Sequence, residues 1–219
     1  MIDNKFSAPE IERVDDVPLL QALLQQMEVD RLLDQYYPTH GNWAGELSFG
    51  QVAMTWLTFI LSQADHRLLH VEPWAAGQLH LLEGCLGKPV RALDFSDDRL
   101  AAMLTSLGDE EVWGQFESAL NTTLLRVYDL RPERVRLDMT TAPTYASAGD
   151  GLVKFGQSKT HRRDLAQVKI SLSTLDPLGL PLVTRVVSGN AADDPLYLPQ
   201  IKQVQAQLGC GGKTYIGDC

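Results

Sequence analysis

Two aspartates, Asp138 and Asp218, each close a short run with the character of a strand. One run is Arg134-Val135-Arg136-Leu137-Asp138; the other passes from Lys213 through Thr214, Tyr215 and Ile216 to Asp218. β-Branched and aromatic residues favour a pleated, half-buried surface, so an acid is an unexpected way to finish such a run. If two such acids lie side by side, their charges repel, and the pair needs a shared proton or a cation. No histidine or nucleophilic-serine pattern stands near either, which makes a divalent metal the economical answer. Magnesium takes one or two carboxylates together with waters and phosphate oxygens. Two such ions about 4 Å apart are a common device for displacement at phosphorus. The competing reading makes each aspartate a cap on a turn at a strand end, and spacing alone leaves both open.

The segment between the two acids carries the complementary charge. Residues 151–168, GLVKFGQSKTHRRDLAQV, hold Lys154, Lys159, His161, Arg162 and Arg163 against Asp150 and Asp164 at the margins. Bases beside paired acids suit a phosphodiester substrate, the acids carrying metal and the bases holding the backbone. Any one of these side chains could equally belong to a solvated loop.

These residues need a scaffold, and the hydrophobic periodicity describes one. Beyond Arg131 the period is 2: a strand over 134–138, then a hairpin from 168–175 and 182–187. Val168, Ile170 and Leu172 share one face of it, and Asp176-Pro177-Leu178-Gly179 forms an expected type I turn. Leu198, Ile201, Val204 and Leu208 make one stripe of a helix over 197–208, and a last strand begins at Lys213. A right-handed crossover can set that fourth strand parallel to the first and next to it, so that both aspartates leave the same end of the sheet. The first 130 residues read as helices instead: 17–27 after a proline, 48–63 capped by Ser48, 99–107 after Ser96-Asp97-Asp98, and one opened by Asp109-Glu110-Glu111 with Val112, Phe116, Leu120 and Leu124. The expected domains are 1–130, helical, and 131–219, α/β.

Composition limits the rest. Of 219 residues, 44% are hydrophobic and 21% charged, ordinary for a globular protein. The longest apolar stretch, 52–61, is well short of the ~20 residues needed to span a bilayer, and the acidic N-terminus has no apolar core of a signal peptide. Cys85, Cys210 and Cys219 form no CxxC pair and read as free thiols in a reducing cytoplasm. Residues 1–130 hold 8 Lys and Arg against 20 Asp and Glu, a net −12; residues 131–219 hold 11 against 8, a net +3. The first part therefore repels a polyanion, whereas the second tolerates one. Gly209-Cys210-Gly211-Gly212-Lys213-Thr214 is not a phosphate-binding loop, since Gln207 stands where that motif needs glycine and a strand follows. His66 and His70 lack the glutamate of a zinc-protease helix and read as satisfied or exposed histidines.

LDMTT at 137–141, GQSKTHRRDLAQVKISL at 156–172, LGLPLVTRVVSGNAADD at 178–194 and YIGDC at 215–219 resemble the insertion-sequence transposases with a ribonuclease-H-like DDE core. The resemblance is to the group whose core is preceded by a helical N-terminal domain catalogued as of unknown function. SFGQVAMTWL and LDFSDDRLAAML match that domain in character, so the resemblance spans nearly the whole chain. It implies an α+β fold, with an all-helical N-terminal domain followed by an incomplete ribonuclease-H-like α/β core in the order β1-β2-β3-α-β4. It also implies that Asp138 is the first metal-binding acid and Asp218 the second, with Thr140 in the Asp-x-Thr position and Mg²⁺ or Mn²⁺ as cofactor. The partner would be DNA at mobile-element ends and target, held at phosphates by Lys154, Lys159, His161, Arg162 and Arg163. The reaction would be metal-dependent hydrolysis and strand transfer in DNA transposition. Family members carry a third acid, a glutamate on a downstream helix. The expectation is thus of the front part of a transposase, inactive alone, cytoplasmic and nucleoid-associated on DNA. The alternative, from another class, is a non-catalytic module that pairs with itself or with full-length transposase.

Overall fold

Two helices of the first half open on side-chain caps. In the computed structural model, which describes residues 11–39, 41–149, 151–157, 159, 161–209 and 211–217, Ser48 takes extended backbone and its hydroxyl accepts the Gln51 N–H at 3.2 Å. The Gln51 side chain returns the bond to the Ser48 N–H at 3.1 Å, completing a capping box. At the other end of the helical region a side-chain cap acts alone: Asp109 Oδ1 accepts the N–H groups of Glu111 (3.0 Å) and Val112 (3.1 Å).

Among the described residues the fold is α+β, with eight α-helices and one four-stranded mixed sheet. Seven helices precede the first strand: α1 (Val17–Gln26), α2 (Val29–Tyr36), α3 (Phe49–Gln63), α4 (Val71–Ala76), α5 (Leu79–Leu86), α6 (Asp97–Leu107) and α7 (Glu110–Val127). The chain divides between Thr123 and Leu124 into two units.

In the helical unit, α1 buries Val17, Gln21 and Leu24 along one stripe, and Val52, Met54, Leu82, Phe95 and Leu100 lie wholly inside. α2 and α3 meet at Gly50, where the backbones are so close that a Cβ would sit 1.9 Å from the Asp30 carbonyl oxygen. The Gly50 N–H donates to Asp34 Oδ1 at 2.7 Å in the same place. Asp94 is fully buried, a costly state for a carboxylate unless it is paired. Here Arg91 (2.6 Å) and Arg99 (2.9 Å) pair it, and Arg99 also lies 3.8 Å over the Trp43 ring.

The second unit holds the sheet, with strand order β3-β2-β1-β4: β1 (Arg134–Thr144), β2 (Ala166–Leu175), β3 (Leu180–Ser188) and β4 (Thr214–Gly217). β2 is antiparallel to both β1 and β3, and β4 is parallel to β1, the arrangement that a crossover through α8 (Asp194–Leu208) provides. Val204 of α8 joins Val135, Leu175, Leu182 and Val183 in a small core.

Two local expectations need correction. β1 does not stop at Asp138: it stays paired with β2 from Val135↔Leu175 to Thr144↔Ala166, because the long antiparallel partner offers a ladder that Met139-Thr140-Thr141-Ala142-Pro143 can join. The 176–179 turn is not type I. Its Asp176–Pro177 peptide is cis, and it closes through the Gly179 N–H on the Leu175 carbonyl at 2.8 Å, with Gly179 at φ +68°. In β2, Val168, Ile170 and Leu172 share one face as expected, and the opposite, polar face is the buried one. Gln167, Lys169, Ser171 and Ser173 are buried, whereas Val168, Ile170 and Leu172 are only half-buried.

Candidate functional site

Asp138 stands on β1, one of the two inner strands, where the sheet's two pairings part company. Toward β2 the ladder continues past it, with Asp138 opposite Leu172. Toward β4 the described register ends on Leu137↔Gly217. Asp218 lies outside the described residues. β1 alternates exposed and buried positions, so Asp138 and Thr140 share the exposed face while Leu137, Met139 and Thr141 turn inward. The Asp138 side chain is 73% exposed. Its Oδ1 accepts the Met139 N–H at 2.7 Å, and Oδ2 has no bond among the described residues.

The basic loop between β1 and β2 is fastened to the end of the sheet, beside the start of β2 and the end of β3, by backbone contacts. Lys154 and Gln167 exchange both main-chain bonds (3.0 and 2.9 Å), and the Gly189 N–H donates to the Leu152 carbonyl at 2.9 Å. The Gln167 amide, buried in β2, reaches the carbonyls of Gly189 (2.8 Å) and Gln157 (3.1 Å). Gly189 fits only because it lacks a side chain, since a Cβ there would meet the Gln167 carbonyl oxygen at 2.0 Å.

Of the five basic residues assigned to phosphate, three are engaged within the chain. The Lys154 ammonium donates to the Gly149 carbonyl. Arg162 makes a two-pronged pair with Asp164, both bonds 2.8 Å. Lys159 turns onto the sheet: its N–H donates to Thr141 Oγ1 at 3.2 Å and its ammonium to the Met139 carbonyl. That ammonium lies 3.8 Å from a carboxylate oxygen of Asp138 and 3.8 Å from one of Asp193. His161, in left-handed backbone at φ 61°, and Arg163 are exposed, and neither has a partner among the described residues.

The sequence reading missed Lys169, Asp193 and Thr141. Lys169 is buried in β2, its side chain 8% exposed, and its ammonium donates to Asp193 and to the Ala191 carbonyl just before α8. Below it, Ser171 donates to Gln200 of α8. The signal was present in the alternation of Gln167, Lys169, Ser171 and Ser173, but polarity assigns that set to solvent. Only contact with α8 and the segment before it reverses the assignment.

The Arg162 guanidinium holds the Asp164 carboxyl below the usual range, and Arg136, 2.7 Å from Asp176, does the same there. Because the folded pKa is depressed, these pairs stabilise the folded chain fully above the unfolded carboxyl value of about 3.9, and that contribution is lost as pH falls through the folded value. Carboxyl-carbon NMR across a pH series is expected to place both midpoints below about 3.9. A midpoint at or above that value would show that the pairs do not form.

Asp138 fits as one ligand of a small, hard cation: it is an exposed carboxylate with a free oxygen, the type of donor magnesium takes while keeping most of its waters. Among the described residues no three His, Cys, Asp or Glu side chains cluster closely enough to enclose a metal. No helix of the described residues is long and apolar enough to cross a membrane. Comparison of the chain with family models, with curated proteins and with solved structures finds no match in any of the three.

Proposed function

We propose that the chain belongs to a DDE transposase, contributing the helical N-terminal domain and the ribonuclease-H-like strands that carry Asp138 and Asp218, and that it serves DNA transposition. The observation that carries this reading is the position of Asp138. It is an exposed acid on an inner strand, one residue past the last described pairing with a parallel neighbour, and the Lys159 ammonium of the basic loop lies 3.8 Å from its carboxylate. The sequence resemblance supports it from the side of the motifs.

In this reading Asp138 would hold Mg²⁺ or Mn²⁺, with Asp218 as the second acid. Bound there, such an ion would supply Lewis-acid stabilisation and activation of a water or 3′-hydroxyl. The Met139 N–H fixes the other Asp138 oxygen. Arg163 and His161, exposed on the loop, are the side chains left to meet phosphates, and Lys154 and Arg162 brace the loop from within.

The test is cleavage of DNA bearing the mobile-element ends, in Mg²⁺ or Mn²⁺. Residues 1–219 and the same reading frame carried onward past codon 219 are assayed side by side. Metal-dependent cutting that falls at least about 10²-fold in Asp138→Asn is expected, since even outer-shell partners of a metal matter on the 10–100-fold scale. Cutting indifferent to Asp138→Asn would overturn the assignment. A second reading, a regulatory module that binds protein, is favoured for residues 1–130 by their net −12 charge. Silence of both forms in cleavage, with stable pairing to transposase, would put that reading first.

A further inference from the structure

The cation nearest Asp138 comes from the loop, and it is turned inward. Four side chains alternate in sign along one path. Lys169 is buried in β2, Asp193 stands before the first turn of α8, Lys159 is on the loop, and Asp138 is on β1. The path starts from an obligation: a lysine only 8% exposed must be paired, because an isolated buried ammonium is strongly disfavoured. Asp193 and the Ala191 carbonyl meet that need, and this fixes where Asp193 can be. One Asp193 oxygen is taken by Lys169, and the other faces Lys159.

Lys159 is the adjustable member. Its ammonium is 3.8 Å from both carboxylates, beyond hydrogen-bond length to either, and its bond is to the Met139 carbonyl. The side chain is 48% exposed, on a flexible stem, and its backbone is anchored by Thr141. We propose that Lys159, placed by Asp193 and through it by Lys169, is the built-in counter-charge of Asp138. It keeps the acid and the loop together in the absence of a divalent ion, and it competes with such an ion for Asp138. The inference rests on reading Asp138 as the metal-binding acid. Lys159 and Asp193 are positioning residues, acting on the metal through Asp138.

The experiment uses the 219-residue chain and Mn²⁺, with free Mn²⁺ read by electron paramagnetic resonance at one pH and one ionic strength. Lys159→Met is expected to tighten Mn²⁺ binding about three- to tenfold, the effect of removing one partly screened unit charge a few ångströms from a divalent ion. Lys159→Arg keeps the charge and should stay within about twofold of the parent on the same argument. Asp193→Asn should weaken binding, since it removes a negative charge and leaves Lys159 to Asp138 alone. Binding that survives Asp138→Asn would mean the metal is elsewhere, and the functional reading itself would fail. Binding lost in Asp138→Asn but unchanged or weakened in Lys159→Met would leave that reading standing and overturn the counter-charge. If Lys159→Met fails to fold by circular dichroism, the parent protein decides. The Lys159 ammonium ¹⁵N signal should move when Mg²⁺ is added, and a signal fixed at saturating Mg²⁺ would refute competition.

Discussion

Gly189→Ala is expected to destabilise the α+β unit by more than about 3 kcal/mol, beyond the usual 1–3 kcal/mol of overpacking. An added Cβ would meet the Gln167 carbonyl oxygen at 2.0 Å, its carbon at 2.7 Å and the Lys154 carbonyl oxygen at 2.8 Å. All three are backbone atoms, so no flexible side-chain end can swing clear. Relief requires the strand end or the loop to move, and movement breaks the bonds of Gly189 to Leu152 and of Gln167 to Gly189. Urea denaturation measures the loss, and hydrogen exchange localises it to residues 152–157 and 167–169. A change below about 1 kcal/mol would mean that the loop is not seated as described.

Gly50→Ala tests the helical unit, with the opposite sign to the one helix propensity suggests. Alanine is favoured over glycine inside a helix by about 1 kcal/mol. At Gly50, however, the added Cβ would lie 1.9 Å from the Asp30 carbonyl oxygen and 2.6 Å from its carbon, forcing α2 off α3 and stretching the Gly50 bond to Asp34. Packing wins, and a loss above about 3 kcal/mol is expected. Gly84 in α5 is the control: nothing lies within 4 Å of its Cβ position, so Gly84→Ala should hold or raise stability by up to about 1 kcal/mol. If both alanines stabilise, the close crossing of α2 and α3 is wrong.

What was legible in the chain follows the range of the interactions. Ser48 and Asp109 announce their helices because a cap is satisfied within three residues. α2 was hidden: its eight residues bury only Val29, Leu32 and Leu33, too few to establish a period. The far half of β1 was hidden as well, since Met139-Thr140-Thr141-Ala142-Pro143 has no strong pattern of its own and becomes strand by pairing with β2. At the site, Asp138 and the basic loop could be picked out by residue type. The inward turn of Lys159 could not, because it depends on Asp193, which depends on Lys169, and those partners come from three separate segments.

The polar inner face of β2 also works as an alignment mark. An apolar strand face can slide by two residues and still find oil to sit in. Lys169 cannot: its ammonium is answered at Asp193 and Ala191, Gln167 at Gly189 and Gln157, and Ser171 at Gln200. A slip of one position would turn Val168 and Ile170 inward and carry the lysine to the opposite side, while a slip of two would strand a charge against α8. The sheet thus gives up some adhesive surface in exchange for one permitted alignment of β2 against α8 and the loops beside it, and it is this fixed strand that pairs Leu172 with Asp138 of β1.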